Sequence, residues 1–385
     1  MRVRVAFIAA VLGVLGYEVA AQPYVGSIVE DISTPLAFPP DQDGLTCTGL
    51  VWNFRVDAPV LPGNIKQPEM RVHLNNLVLP DNDAFHIEIA DTSGNVVETL
   101  DRAVLAGRSD IWTLSISSIA AEVSVFGCDA LTGLAFEIDQ IAFPFEDLEL
   151  ESLYGTSDLI ETNSYTGADS DLVTESASSV ARLSVIKDRT ETYCTAFRIG
   201  PDLVQTSSHC ISDETDFCET TQIWFDYHKN EFGLPITGQK VRCLEIVDSA
   251  APTQADTTIL RVHPEPHAAY KIASFTPDSP QEGDPLFVPQ HPGGLPQKLS
   301  IADCVRQEDM RTQAHPNAYG HTCDTLRGSS GAPVFNLAGE VVGQHRAGHT
   351  NPEVTNCLNL ATLPHLLDLS TGVTGQTTTA SAEAC

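Results

Sequence analysis

The sequence predicts a protein built almost entirely from β-strands, with an N-terminal antiparallel β-sandwich followed by a second strand-rich domain. Short apolar/polar alternation recurs through residues 24–147, for example in LVWNFRV (50–56) and AFHIEIA (84–90). No long helical period interrupts this first region. The strand pattern returns from residue 178 and continues to about residue 369. A chain of 385 residues is also long enough for two domains.

Turn signals separate the strands of the first region. ADTSGNVV (90–97) places Ser-Gly-Asn between two alternating runs, which predicts a β-hairpin, and LPDND (79–83) predicts another turn. Cys47 and Cys128 are the only cysteines of this region, and we expect them to form a disulfide. No residue of the sandwich suggests chemistry of its own, so an inhibitory prosegment, a substrate-docking module and an aid to secretion all remain open.

The N-terminus is typical of a secretory signal peptide. Two arginines precede an apolar run, residues 5–16, and small residues then lead to Ala21. A run of 12 residues is shorter than the roughly 20 that a membrane-spanning helix needs, which favours cleavage after residue 21 over a membrane anchor. We therefore expect a protein that is secreted or periplasmic and that has no membrane contact after cleavage.

Two further segments lack the strand pattern. Residues 148–177 are acidic and rich in Ser and Thr, which is typical of a linker. Residues 370–385 form a small, polar tail that ends in Cys385.

Composition excludes several partners. The formal net charge of −30 disfavours nucleic acid and anionic membranes, which bind basic patches. Ten cysteines without a CxxC pair fit disulfides in an oxidising compartment better than a zinc ribbon. HPEPH (263–267) offers two histidines, but its prolines break the helix that a metal-binding pair at that spacing requires, and no HExxH occurs. We expect no metal, no cofactor and a monomer.

His209 stands out by its setting, YCTAFRIGPDLVQTSSHC (193–210). A strand, a Gly-Pro-Asp turn and a second strand lead to the histidine, and Cys194 and Cys210 flank this predicted hairpin. A disulfide between them would close a loop of about 15 residues, which stabilises by about 3 kcal/mol in the chain-entropy model. It would also hold His209 rigidly, as a general base requires.

A serine nucleophile needs such a base, and the base needs an acid that holds its tautomer. Ser330 lies in CDTLRGSSGAPVFN (323–336), where glycines permit a tight turn. The backbone N–H groups of Gly328 and Ser330 could bind a developing oxyanion. Asp256, just before the apolar strand TTILRV, is the candidate acid, and Asp248 is its rival.

TSSHC, ADTTIL and GSSGAPVFN together resemble the motifs of trypsin-like serine peptidases, and they occur in that family's order of catalytic residues, His, Asp, Ser. VPQHPGGLPQKLS (288–300) and GAPVFNLAGEVVGQH (331–345) resemble the bacterial branch that includes glutamyl and lysyl endopeptidases. The resemblance covers about residues 178–369. It implies a chymotrypsin-like double β-barrel that hydrolyses peptide bonds in polypeptide substrates through an acyl-enzyme intermediate.

The resemblance also implies roles for individual residues. His209 would be the general base, Asp256 its orienting acid and Ser330 the nucleophile, with Gly328 and Ser330 as oxyanion donors. Ser329 replaces the aspartate by which animal trypsins respond to a freed N-terminus, so that switch is absent. The disulfides implied by the resemblance are Cys194–Cys210, Cys218–Cys243 and Cys304–Cys323; Cys357 and Cys385 are left without an assigned partner.

The specificity pocket gives conflicting signals. Asp324 lies six residues before Ser330, where a carboxylate attracts Lys or Arg in trypsin-like enzymes. Thr325 and His345 match positions with which glutamyl endopeptidases hold an acidic side chain. Because a buried carboxylate would repel a bound Glu, we predict cleavage after Lys or Arg, with glutamyl specificity as the alternative. Asp324 could instead be a structural acid bonded to nearby backbone. A non-catalytic secreted binding protein on a protease scaffold is the alternative function.

Overall fold

The structure of the protein is a computed structural model. The predicted signal peptide, the predicted Cys47–Cys128 disulfide and the C-terminal tail with Cys385 lie outside the residues it describes, and so does Cys357. The described residues are 24–39, 49–58, 68–127, 133–144, 153, 156–212, 217–236, 238–252, 254–308, 317–348 and 358–363.

The N-terminal region is a sandwich of two antiparallel sheets around an apolar core. Alternation places one face of each strand inside, as in β4, where Ile87 and Ile89 are fully buried and Glu88 is not. One sheet has the order β1-β8-β3-β6, and the other has the order β2-β7-β4-β5. The elements are β1 Tyr24–Phe38, β2 Leu50–Asp57, β3 Arg71–Val78, β4 His86–Asp91, β5 Val96–Leu100, α1 Arg102–Leu105, β6 Ile111–Trp112, β7 Ala120–Phe126 and β8 Ala135–Pro144.

The acidic stretch predicted as a linker contains regular structure. It includes β9 (Ile160–Glu161), a 3-10 turn (Thr162–Ser164) and the helix α2 (Ser170–Ala177). Val173 and Ala177, which are four residues apart, are buried on one face of α2. The apolar positions of this helix are too few to stand out among the acidic and hydroxyl residues of the sequence.

Six antiparallel strands then form a closed barrel in the order β10-β13-β14-β15-β12-β11, with β10 and β11 completing the ring. Its core includes Leu183, Val204 and Leu260. This barrel carries two of the predicted catalytic residues at the ends of its strands. The elements are β10 Val180–Lys187, β11 Thr190–Arg198, β12 Leu203–Thr206, α3 Phe217–Thr220, β13 Gln222–Phe225, β14 Lys240–Ala250 and β15 Thr257–His263.

The remaining strands form a second sheet in the order β19-β20-β23-β22-β21-β17-β18-β9, and β16 runs parallel to β22 at its side. β9 thereby joins the predicted linker to this sheet. The prediction of an all-β chain, with a sandwich followed by a chymotrypsin-like double barrel, is confirmed. The elements are β16 Ser274–Phe275, β17 Leu286–Gln290, a 3-10 turn Pro292–Gly294, β18 Lys298–Ser300, β19 Arg306–Gln307, β20 Ala318–His321, β21 Pro333–Asn336, β22 Glu340–Ala347 and β23 Asn359–Thr362.

The sandwich and the first barrel share one continuous sheet of ten strands. The start of β1 pairs antiparallel with β11, so that Tyr24 lies opposite Tyr193 and Ile28 lies opposite Thr190. The hydroxyls of Ser27 and Tyr193 are hydrogen-bonded at 2.8 Å. We call the contact of the sandwich with β10, β11, β13 and β14 the domain boundary.

Buried charges cross the domain boundary in pairs of opposite sign. Arg182 Nη1 of the barrel donates to Glu69 Oε2 of the sandwich at 2.8 Å, and both side chains are at most 8% exposed. The guanidinium of Arg182 also lies within 5 Å of three aromatic ring centroids. In the opposite sense, Arg71 of the sandwich pairs with Glu191 of the barrel at 3.2 Å. Arg242 and Glu98 form a further pair across the boundary.

Three disulfides occur among the described residues, all in the C-terminal half of the chain: Cys194–Cys210, Cys218–Cys243 and Cys304–Cys323. They are the three pairs that the resemblance implies. Among the described residues, no helix has the length and apolar character that crossing a membrane requires.

Candidate active site

His209 follows the end of β12 and is held against Asp256 at the start of β15. Its Nδ1 lies 2.9 Å from Asp256 Oδ2 and 3.1 Å from Oδ1, and its backbone N–H donates to Oδ1 at 3.1 Å. β12 and β15 are neighbours in the barrel, which brings residues 47 positions apart together. The rival Asp248 lies within β14, opposite Ile259.

The Asp256 carboxylate is almost fully buried and has a further donor, the hydroxyl of Ser208, at 3.0 Å from Oδ1. Burial opposes ionisation of this carboxyl group. The charge and hydrogen bond of His209 and the nearby guanidinium of Arg346 outweigh burial and hold the pKa of Asp256 below its usual value. An ionised Asp256 fixes the tautomer in which His209 Nδ1 carries the proton and Nε2 is free to accept one.

Ser330 lies in a turn that two left-handed glycines shape. Gly328 has φ +93° and Gly331 has φ +88°, which other residues rarely adopt. A Cβ on Gly331 would approach the carbonyl oxygen of Thr195 to 2.2 Å, and a Cβ on Gly328 would lie 2.9 Å from the backbone nitrogen of Gly293. Close backbone approach on both sides of Ser330 therefore explains the glycines of this motif.

Thr195 ties this turn to the first barrel. Its N–H donates to the carbonyl of Ser330 at 2.9 Å, and its hydroxyl donates to the carbonyl of Gly328 at 2.9 Å. Thr195 follows Cys194, whose disulfide partner Cys210 follows His209. Two adjacent residues of β11 therefore hold the site: Cys194 through the disulfide next to His209, and Thr195 through hydrogen bonds to the turn that carries Ser330.

His209 Nε2 and Ser330 Oγ are both buried, and neither has a hydrogen-bond partner among the residues that the structure describes. The neighbouring hydroxyl of Ser329 differs, because its Oγ accepts the N–H of Leu326 at 3.1 Å. Catalytic hydrogen bonds are often long without substrate, so this geometry is compatible with a base and a nucleophile. Of the two adjacent serines, Ser330 is the one with an uncommitted hydroxyl.

The predicted oxyanion donors lie on the same turn. The N–H of Ser329 donates to Leu326 and the N–H of Gly331 donates to His345, both within the fold. The described part of the chain offers no recorded acceptor to the N–H of Gly328 or to that of Ser330. These two N–H groups are therefore available to an oxygen atom that carries developing negative charge.

Asp324, predicted to attract basic substrates, is buried and contacts the segment before β9. Its Oδ2 accepts the N–H of Asp158 at 2.8 Å, while its own N–H donates to the hydroxyl of Ser300. Burial, followed by a hydrogen bond and charge repulsion from Asp324, raises the pKa of Asp158 to about 7. The Asp158 carboxyl group therefore carries a proton below neutral pH.

Thr325 and His345 lie in the same region but make different contacts. The Thr325 hydroxyl donates to Asn359 Oδ1 at 3.0 Å. His345 Nδ1 lies 3.3 Å from His321 Nε2, and His345 Nε2 is buried without a partner in the described residues. Burial, together with the nearby His321 and His209, holds the pKa of His345 well below its ordinary value, so its ring is neutral.

The sequence analysis missed several residues that contact the site. Ser208 and Thr195 each adjoin a motif residue, and their adjacency to His209 and Cys194 is the only signal that could have drawn attention to them. Arg346 follows His345 on β22, and Asp158 lies in the acidic stretch. Their contacts depend on pairing between distant strands, for which the local sequence carries no signal.

Part of the chain matches a known protein family. Residues 194–343 match the family described as the trypsin-like peptidase domain. The chain is therefore similar to that family over these residues, and the match does not separate the family's bacterial branches. No curated protein sequence matches the chain.

Solved structures of proteases resemble about half of the chain. The active form of a protease from M. tuberculosis is 17% identical, with 57% of this chain and 87% of that chain covered and a TM-score of 0.36. A serine endoprotease from Yersinia pestis is 17% identical over 52% and 63% of the two chains, with a TM-score of 0.38. An inactivated protease paralogue of the scabies mite is 16% identical over 49% and 91%, with a TM-score of 0.41.

Proposed function

We propose that the protein is a serine endopeptidase that hydrolyses peptide bonds through His209, Asp256 and Ser330. The observation that carries the proposal is the arrangement around His209. Asp256 holds Nδ1, while Nε2 and the Ser330 hydroxyl are buried with no partner among the described residues. A buried polar group without a partner costs roughly 1–3 kcal/mol, and a bound substrate that supplies partners to both atoms would remove this cost.

The mechanism follows from these atoms. His209 Nε2 takes the proton of the Ser330 hydroxyl as its oxygen attacks the substrate carbonyl carbon. The negative charge on the carbonyl oxygen is stabilised by the N–H groups of Gly328 and Ser330. His209 then gives its proton to the leaving amine, which produces an acyl-enzyme. A water molecule, deprotonated by His209, attacks the ester and releases Ser330.

A cleavage profile on a peptide library tests this proposal. We expect the wild type to cleave peptides and to be labelled at Ser330 by a serine-directed phosphonate. Ser330→Ala should lose both properties, while the matched control Ser329→Ala should keep the labelling. Labelling at Ser329, or none in a folded wild type, would contradict the assignment; the second outcome would favour a non-catalytic binding protein.

The preferred residue before the scissile bond is a finer proposal. Asp324 predicts cleavage after Lys or Arg, but its carboxylate already accepts the N–H of Asp158 and shares its environment with the Asp158 carboxyl group. The neutral His345 ring supports the acidic alternative. If His345 Nδ1 accepts from His321, then Nε2 carries a proton that can be donated to a substrate carboxylate. These contacts favour cleavage after Glu over cleavage after Lys or Arg.

Paired peptides that differ only in Lys or Glu before the cleaved bond distinguish the two specificities. We expect His345→Ala to lower kcat/KM for the Glu peptide about a hundredfold, since an unmet substrate carboxylate is strongly disfavoured. Asp324→Ser should change it little. A hundredfold loss of Lys cleavage in Asp324→Ser, with His345→Ala nearly unchanged, would restore the basic specificity that the sequence predicts.

We also propose export and an extracellular or periplasmic location. The three disulfides are compatible with an oxidising compartment, and the N-terminal residues have the pattern of a signal peptide. Mass analysis of the exported protein tests this, with a mature N-terminus at Gln22 expected.

A further inference from the structure

Arg346 lies beside the carboxylate that holds His209. It is on β22, next to His345, and its side chain is 10% exposed. Its Nε is 3.9 Å from Asp256 Oδ2, and its Nη2 donates to the carbonyl of Pro252 at 2.7 Å. One guanidinium therefore reaches both the carboxylate and the loop that leads to it.

The loop before β15 needs such support. Asp256 has φ +51°, in the left-handed region that non-glycine residues seldom occupy. Its N–H donates to the carbonyl of Ala251 at 3.1 Å, which closes the turn. Through Pro252, Arg346 fastens this turn from the second sheet, so the direction of the Asp256 side chain depends on a residue of the other half of the peptidase region.

The charge of Arg346 acts on the same oxygen as His209. Asp256 Oδ1 accepts from Ser208 and from the backbone of His209, whereas Oδ2 is the oxygen nearest His209 Nδ1 and the one that faces Arg346. A fixed positive charge here stabilises the carboxylate and repels an imidazolium on His209. Removing it should make His209 easier to protonate.

The surrounding titratable groups do not supply a second fixed charge. In the described residues, two charged or titratable side chains lie next to the Asp256 carboxylate: His209, from the segment after β12, and Arg346, from β22. His345 on β22 and His321 on β20 lie beyond them, and His345 is neutral. Gln344, also on β22, donates to the backbone carbonyl of Asp256 and carries no charge.

We propose that Arg346 is a positioning residue for the proposed peptidase reaction: it orients the ionised Asp256 and sets the lower end of the pH range in which His209 acts as a base. The inference rests on the proposed function. It assigns to Arg346 no contact with the substrate and no proton transfer.

The test is the pH dependence of kcat/KM of the full-length protein, with active enzyme counted by phosphonate titration. Arg346→Gln should move the midpoint of the acidic limb upward by about one half to one pH unit, the shift expected when a nearby screened charge is lost. Arg346→Lys keeps the charge and should stay near the wild-type midpoint. Arg261→Gln removes an arginine of β15 that pairs with Asp202 and Glu245 instead, and should leave the midpoint unchanged.

A second measurement separates this proposal from the proposed function. In a Ser330→Ala background, the His209 imidazole can be titrated by NMR, with the signal assigned by its loss in His209→Gln. Adding Arg346→Gln should shift the midpoint upward there too, whether or not the wild type cleaves peptides. An unchanged midpoint would overturn the role of Arg346, even if activity fell; absence of phosphonate labelling in the wild type would overturn the proposed function alone.

Discussion

Buried polar groups occur at the domain boundary and in the candidate active site, and the two places treat them differently. At the boundary each buried guanidinium faces a carboxylate, as in the pairs Arg182–Glu69 and Arg71–Glu191. In the active site, His209 Nε2 and Ser330 Oγ are buried without a partner among the described residues. Some guanidinium nitrogens at the boundary, such as Arg71 Nη2 and Arg242 Nη1, also lack a hydrogen bond in the described residues, but each guanidinium has a carboxylate of opposite charge beside it. The candidate active site instead holds a ring nitrogen and a hydroxyl group that a substrate would have to satisfy, as the proposed chemistry requires.

The largest effect should come from changing Asp256, whose carboxylate is hydrogen-bonded to Ser208 and His209 in the candidate active site. Asp256→Asn preserves the shape of the side chain but replaces one carboxylate oxygen with an NH2 group. If this group faces His209 Nδ1, it donates a hydrogen bond and favours the tautomer in which Nδ1 carries no proton. We expect kcat to fall by about four orders of magnitude, as the corresponding Asp→Asn change does in trypsin-like serine peptidases. Peptide hydrolysis measured with titrated enzyme checks this.

Asp248→Asn is the matched control, because Asp248 was the rival acid in the sequence and lies in β14. It should leave kcat within a factor of two or so. A large loss in Asp248→Asn together with a small one in Asp256→Asn would reverse the assignment.

Substitutions at the domain boundary should change the stability of the protein more than its activity. Glu69→Ala leaves Arg182 buried without its carboxylate, which typically costs about 3–5 kcal/mol. We expect a loss of that size in the free energy of unfolding, measured with denaturant. Replacing both partners, with Glu69→Leu and Arg182→Met, should recover most of it, since a buried ion pair is often no more stable than apolar residues of similar volume.

The exposed pair Arg55–Asp57 supplies the control, with side chains 52% and 62% exposed. Asp57→Ala should change stability by less than about 1 kcal/mol. If Glu69→Ala were equally mild, the sandwich would be loosely attached, as expected of a prosegment that is removed.

This contrast also marks what the sequence could predict. The candidate triad could be predicted because its residues stand in short motifs, such as TSSHC and GSSGAPVFN, whose chemistry depends on immediate neighbours. The strands were found because alternation is local as well. The Glu69–Arg182 pair joins residues 113 positions apart, and no local pattern distinguishes either from a solvated surface charge. Arg346 and Asp158 were missed for the same reason, since their partners are fixed by strand pairing between distant segments.

The disulfide Cys194–Cys210 should affect both stability and activity, because it lies in the first barrel and Cys210 directly follows His209. Replacing both cysteines by Ala should lower stability by about 3 kcal/mol and reduce activity as well. The Cys218–Cys243 disulfide also closes a short loop, but its cysteines lie on α3 and β14. Replacing both of them by Ala should lower stability by a similar amount and reduce activity less. Equal losses of activity per titrated enzyme in both variants would show that the first disulfide does not position His209 specifically.

The Asp158–Asp324 pair should give the smallest effect, because the backbone N–H of Asp158 keeps its hydrogen bond to the Asp324 carboxylate whether or not the Asp158 carboxyl group is protonated. Burial and the neighbouring Asp324 carboxylate raise the pKa of Asp158 from 3.8 to about 7 in the folded protein. The folded state therefore binds this proton more tightly than the unfolded state. The resulting stabilisation is fully present below pH 3.8 and is lost as the pH rises through about 7. Since Asp158 is only partly buried, we expect a contribution of at most about 1 kcal/mol after solvent screening.

Asp158→Asn retains the backbone N–H that Asp324 accepts, but its side chain cannot ionise. The variant should therefore lose this part of the pH dependence of unfolding between pH 5 and 8. Asp171→Asn on α2 is the control, measured in parallel. An unchanged pH dependence in Asp158→Asn would mean that the two carboxyl groups do not share a proton, and that Asp324 is held by the backbone of residue 158 alone.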